Sequence, residues 1–129
     1  MLLSLRFLAV ILGMGAGALV NALVALTAGS VLTVLGVDDG MDIVLVPSLI
    51  VGLMAGGYLA GRMAFHSARL HGAVAGVGVA LVTLVTAQPN GSQARLGEVL
   101  ILALVSIVFG GIGGILSEWP EGRRRGRRR

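Results

Sequence analysis

The sequence predicts an all-α fold, a four-helix transmembrane bundle, on three observations. Four long stretches carry no Asp, Glu, Lys or Arg: residues 7–37, 43–61, 70–94 and 99–117. The arginines fall almost wholly on one side of the membrane those stretches imply. Each stretch also repeats small residues at every fourth position.

The first observation sets the solvent. Only 12% of the residues are charged and 56% are hydrophobic, whereas a water-soluble domain carries about 25% charged residues to wet its surface. A bilayer core about 30 Å thick is crossed by roughly 20 residues at 1.5 Å rise each. Helices apolar on every face cannot all be buried in one small soluble core, so hydrocarbon must surround them.

The first span covers about residues 7–30, with 30–37 as its end or a short extension. It is read as an uncleaved span because a signal h-region is only about 7–15 residues long and precedes a polar domain. Gly36-Val37-Asp38-Asp39-Gly40-Met41-Asp42 forms an acidic, turn-rich loop. The second span covers about 43–65, with Pro47 in its first turn, where a missing N–H costs least. A basic connection follows, with Arg62, His66, Arg69 and His71. The third span covers about 70–87 and stops at Gln88-Pro89-Asn90-Gly91-Ser92, since proline and the Asn-Gly pair both interrupt regular structure. The fourth covers about 96–117 and ends at Glu118-Trp119-Pro120, Trp119 suiting the headgroup region. Residues 1–121 thus form one membrane domain, and 122–129 a basic tail.

Orientation follows from the arginines. Arg6, Arg62, Arg69 and the tail residues Arg123, Arg124, Arg125, Arg127, Arg128 and Arg129 lie on one side. Arg95 lies on the other, with Asp38, Asp39, Asp42 and Glu98. The positive-inside rule puts both termini in the cytoplasm, with the plasma (inner) membrane as the site. Arg62, Arg69 and the tail arginines would meet the headgroups of an anionic inner leaflet, each worth about 1 kcal/mol near the surface. Nucleic acid is a poor fit to the tail, which has no aromatic or folded module beside it.

The small-residue ridges explain how such helices could hold together. Apolar side chains gain nothing by leaving lipid, so association rests on close packing and hydrogen bonds. The ridges are Ala9-Gly13-Gly17-Asn21-Ala25-Gly29, Ser48-Gly52-Gly56-Ala60-Ala64, Ala68-Gly72-Gly76-Ala80 and Ser106-Gly110-Gly114. They make a tight bundle, a homo-oligomer, or both. The second and fourth spans share a pattern, Gly56-Gly57 with Gly61 against Gly110-Gly111 with Gly114. Shared lipid composition accounts for it, with a duplicated helical hairpin of parallel topology as the alternative.

Candidate chemistry is sparse. Every ionisable residue lies near a span end, which disfavours a proton relay or ion pump. Asn21 is the strongest mid-membrane polar group; it is either an interhelical hydrogen bond or, with Ser48, part of a solute path. His66 and His71 are not at the i, i+4 spacing that puts two ligands on one helical face, and the chain has no cysteine. No metal, cofactor or nucleophile–base constellation is expected, and no enzyme activity.

Gly56-Gly57-Tyr58-Leu59-Ala60-Gly61-Arg62, followed by His71-Gly72-Ala73, resembles uncharacterised small four-span, glycine-rich prokaryotic membrane proteins. That resemblance implies a membrane protein without catalytic residues. Gly57 to Arg62 also looks like the loop between spans two and three of the major facilitator superfamily, except that Gly61 stands where that family has aspartate. Small multidrug-resistance transporters match in size and span count, but their membrane-embedded glutamate has only Asn21 as counterpart. Small four-span fluoride channels are similarly glycine-rich, and their phenylalanine- and hydroxyl-rich pore segment has no match here. The expected role is a structural or interaction subunit, self-associating or within a larger membrane complex. The alternative is a small oligomeric channel or transporter, with a holin-like pore former third.

Overall fold

The computed structural model describes residues 2–37, 41–64, 67–86 and 96–125, with side chains described for 7–37, 43–64, 67–86 and 96–118. The fold is all-α: α1 (Leu2–Val34), α2 (Met41–Met63), α3 (Ala68–Thr86) and α4 (Leu96–Arg125) form a four-helix bundle. Stretches of 28, 21, 19 and 23 residues, Phe7–Val34, Ile43–Met63, Ala68–Thr86 and Leu96–Glu118, are long and apolar enough to cross a membrane.

The ends of these helices have local causes. Gly36 has φ 71°, and its N–H donates to the Thr33 carbonyl at 3.1 Å while that of Val37 donates to Leu32 at 3.0 Å. This is the Schellman arrangement, in which a left-handed glycine satisfies the last carbonyls of a helix. Helix α2 begins at Met41, two residues earlier than hydropathy places it. Pro47 therefore lies inside the helix, in its second turn, and cannot donate to the Ile43 carbonyl. Helix α3 also starts earlier than residue 70, because the Ser67 carbonyl accepts from the N–H groups of Leu70 and His71 at 3.0 and 3.2 Å. Helix α4 does not stop near Ser117 but continues through Pro120 to Arg125. Proline removes one hydrogen bond, and the Glu and Arg residues beyond it are good helix formers.

Ser67 holds φ at 62°, the left-handed region that costs a residue with a Cβ about 1–2 kcal/mol. Glycine relieves that cost but loses more freedom on folding. Ser67→Gly is therefore expected to stabilise the α2–α3 corner modestly, by on the order of 0.5 kcal/mol. The midpoint of denaturant unfolding in detergent reads this out; an unchanged or lowered midpoint contradicts it.

Helix α2 touches all three other helices and α3 does the same, whereas α1 and α4 do not meet among the described residues. The cross-section is a rhombus with α2 and α3 on its short diagonal. Contacts fix the directions: Gly13 packs on Gly56 and Gly17 on Gly52, so α1 and α2 run antiparallel. Gly57 packs on Gly110 and Gly61 on Gly114, so α2 and α4 run parallel. Arg62, Arg69 and the end of α4 consequently share one end of the bundle.

The interior is made of small side chains. Ala9, Ala60, Ala64, Ala68, Ala75 and Ala80 are buried, and Leu53 and Val79 are the largest apolar side chains wholly enclosed. The large residues face outwards: Phe7 is 69% exposed, Leu19 62%, Leu104 66% and Val34 87%. In water this arrangement would leave most of the hydrophobic driving force unused and present an apolar patch far beyond the few hundred Å² that soluble monomers expose. In hydrocarbon it is the favourable one, because only close packing distinguishes inside from outside.

Candidate functional site

The residues singled out by sequence fall into two seams and one polar contact. In the α1–α2 seam, a methyl group on Gly13 would stand 2.7 Å from the Gly56 carbonyl oxygen. One on Gly17 would stand 2.7 Å from the Gly52 oxygen and 3.0 Å from the Gly56 Cα. In the α3–α4 seam, a methyl on Gly72 would lie 2.5 Å from the Gly110 oxygen and 2.9 Å from the Gly114 Cα. One on Gly76 would lie 2.5 Å from the Ser106 oxygen and 3.0 Å from the Gly110 Cα. Backbone meets backbone here, so no side-chain rotation can make room.

A third seam, which the sequence pattern does not announce, joins α2 to α4. Gly57 packs on the Gly110 carbonyl, and a methyl on Gly61 would lie 2.6 Å from Ser117 Oγ and 2.9 Å from the Gly114 Cα. A methyl on Gly113 would press on the Met54 carbonyl and stand 2.9 Å from the Tyr58 backbone nitrogen. Reading each helix at one four-residue register yields one ridge per helix. Helices α2 and α4 each have two, and the second on α2, Gly57 and Gly61, has the same spacing one residue along. Val79 fills the junction of α1, α2 and α3; its Cγ2 would be 2.6 Å from a methyl on Gly17 and 3.3 Å from one on Gly56.

Asn21 sits at the end of the α1–α2 seam, its Cβ 2.6 Å from where a Gly52 methyl would be. Its Nδ2 donates to Thr83 Oγ1 on α3 at 3.2 Å. The Thr83 hydroxyl in turn donates to its own helix, at Val79 O, at 2.9 Å. Sequence alone gives Thr83 little weight, because a helical threonine usually bonds back in this way. It does bond back, and its remaining acceptor capacity is what receives Asn21. Ser48 is wholly buried and donates to Leu45 O at 2.9 Å. Ser106, also wholly buried, donates to Leu102 O.

An interhelical bond of this kind is worth about 0.6–2 kcal/mol in a membrane. Asn21→Leu and Thr83→Val are each expected to cost that much. In a double-mutant cycle the two losses should not add, leaving a coupling of about 0.6 kcal/mol or more. Additive losses would mean that the two side chains do not interact.

Arg62 and Arg69 are exposed at the end of the bundle they share. Arg62 Nη1 donates to Tyr58 Oη at 2.9 Å, one turn back on α2. His71 Nδ1 lies 3.1 Å from the Ser67 carbonyl. Arg123, Arg124 and Arg125 belong to the last turns of α4; Arg127, Arg128, Arg129 and His66 lie outside the described residues. Comparison with known protein families, curated proteins and solved structures finds no match to the chain.

Proposed function

We propose that this chain is a multi-pass protein of the plasma (inner) membrane with both termini in the cytoplasm, acting as a structural or interaction subunit without catalytic activity. The observation that supports it best is the inverted distribution of size, alanine and glycine within and leucine, isoleucine and valine without. Such a bundle needs lipid as its solvent and offers partners a surface matched to other transmembrane helices. The arginines at one end suit an anionic inner leaflet, which holds that end in the cytoplasm. Self-association and membership of a larger complex are two forms of this one role.

Two experiments test the proposal. A reporter active only in the cytoplasm, fused after Arg129, is expected to be active; an inactive cytoplasmic reporter with an active periplasmic one overturns the orientation. The chain has no lysine or cysteine, so crosslinking in native membranes uses photoreactive residues placed at exposed positions such as Leu19 and Leu104; it is expected to give adducts, at multiples of 13.1 kDa if the chain self-associates and at other masses if it joins a complex. A chain that remains at its monomer mass from every probe position overturns the interaction role.

A second reading, a small-solute channel or transporter, is favoured by one observation: the Asn21–Thr83 polar pair within the bundle. Proteoliposomes that pass a solute with wild-type protein and not with Asn21→Leu would support it over the first.

A further inference from the structure

The two hairpins of this bundle, α1–α2 and α3–α4, are built on the same contacts. A methyl on Gly13 would stand 2.7 Å from the Gly56 carbonyl oxygen, and one on Gly72 would stand 2.5 Å from that of Gly110. One on Gly17 would meet the Gly52 oxygen and, at 3.0 Å, the Gly56 Cα. One on Gly76 would meet the Ser106 oxygen and, also at 3.0 Å, the Gly110 Cα. Reciprocally, Gly56 faces the Gly13 oxygen and the Gly17 Cα, as Gly110 faces the Gly72 oxygen and the Gly76 Cα. Gly13 and Gly17 therefore correspond to Gly72 and Gly76, and Gly52 and Gly56 to Ser106 and Gly110. Lipid selects small residues but does not set one register in two seams, so these contacts favour a duplicated hairpin. Helices α2 and α4 run parallel, so the operation relating the hairpins keeps their direction across the membrane.

That operation does not close within one chain. The first hairpin has one face covered by the second: Leu53 is fully enclosed, and Gly57 rests on the Gly110 carbonyl. Their counterparts in the second hairpin are Ile107 and Gly111. Ile107 is 52% exposed, and nothing lies within 4 Å of a methyl on Gly111. A closed two-fold pair would bring α1 to α4 as it brings α3 to α2, yet α1 and α4 do not meet among the described residues. The hairpins are thus related head to tail. The second one carries, unfilled, the face that the first has filled.

We propose that this face receives the α1–α2 hairpin of a second copy, placed as α3–α4 is placed within the chain. The contact is tight around one notch. Within the chain, Gly113 lies against the backbone of Met54 and Tyr58. The counterparts are Leu59 of the second copy and, on α4, Val108 and Ile112, with the missing Cβ of Gly111 between them. Leu59 lodges in that notch, and its bulk holds the copies further apart than the hairpins within a chain. Size is exchanged elsewhere too: Met14 packs on Gly78, and Ala73 takes Leu19 of the second copy. All copies then point the same way through the bilayer, and the contact repeats until a ring closes or a row forms. The inference rests on the self-associating form of the role proposed above, to which it adds a face and a polarity.

The absence of native cysteine makes the test direct. Met63 and Ile115 are exposed and are the counterparts of Ser117 and Gly61, which touch. Met63→Cys and Ile115→Cys are placed in separately tagged copies, expressed together and oxidised in native membranes with copper phenanthroline. A disulfide needs the two Cα atoms within about 7 Å. The mixed pair is expected to give a product at twice the 13.1 kDa chain mass, and either variant alone is expected to give none. Gly111→Leu in the Ile115→Cys copy is expected to abolish the product by filling the notch, and Leu59→Ala in the other copy to reduce it. Either variant linking to itself as readily as to the other overturns the head-to-tail contact. A missing mixed product, or one that survives Gly111→Leu, overturns it as well. Photoreactive adducts at multiples of 13.1 kDa without the mixed disulfide overturn this interface and leave the interaction role standing.

Discussion

Gly110→Leu is expected to destroy the bundle, while Gly111→Leu beside it leaves the bundle intact. Gly110 serves two seams at once. A methyl there would lie 2.5 Å from the Gly72 carbonyl oxygen and 3.0 Å from the Gly76 Cα, and the Gly110 carbonyl itself is the surface on which Gly57 rests. Adding a side chain must separate α4 from α3, and moving α4 disturbs its contact with α2. Overpacking a core costs about 1–3 kcal/mol when side chains can move aside. Here the neighbours are backbone, so the cost is expected at or above the top of that range. Around Gly111 nothing lies within 4 Å of an added methyl. Leucine there meets lipid and replaces a poor helix former, which favours the helix by up to about 1 kcal/mol. Unfolding of the two variants in mild detergent, followed by circular dichroism against added denaturing detergent, separates them. Equal behaviour would mean that close backbone contact does not hold this protein together.

Leu53→Ala is expected to give the next largest loss, with a size that reports on the solvent. Leu53 is fully enclosed and packs with Val79 and Ala80, flanked by Leu49, Leu102, Val105 and Phe109. In a water-soluble core the substitution costs about 2–5 kcal/mol, partly from lost transfer free energy and partly from the cavity. If the surroundings are lipid, the transfer part nearly vanishes, because the unfolded reference also sits in hydrocarbon. About 2 kcal/mol is therefore expected, mostly from lost dispersion contacts. A loss near 5 kcal/mol would indicate that water is the reference after all. The reversible unfolding midpoint in bicelles measures the difference.

The fold class was legible because lipid imposes a coarse rule. A helix must be apolar along its whole length to cross, and four stretches obey that. Boundaries were less so. The start of α2 at Met41 and the continuation of α4 past Pro120 to Arg125 lie beyond the apolar stretches, where hydropathy carries no signal. The seams depend on more than the four-residue repeat, which marks only which residues are small enough to allow approach; an added methyl at Gly13, Gly17, Gly52, Gly56, Gly72, Gly76, Gly110 or Gly114 would meet a neighbouring helix. Which helix each one faces is a property of the assembled bundle. Gly57 and Gly61 could not be assigned to α4, nor Gly78 to Met14, from periodicity alone. The partner of Asn21 was hidden for the same reason: Thr83 is far away in sequence and looks like any threonine satisfied by its own helix.

Hydropathy gives the spans of α1 and α3 a length, 28 residues for one and 19 for the other, but not their relative depth. Contacts of α1 with α3, Asn21 with Thr83, Gly17 with Val79 and Met14 with Gly78, set that.

Everything here depends on large apolar side chains turned outwards to hydrocarbon around a core of glycine and alanine. The most direct measurement is sedimentation of cell membranes after washing at high pH without detergent. The chain is expected wholly in the pellet, released only when detergent replaces lipid around residues such as Leu19, Leu104 and Val34. A monodisperse, helical protein left in the detergent-free supernatant would contradict the account.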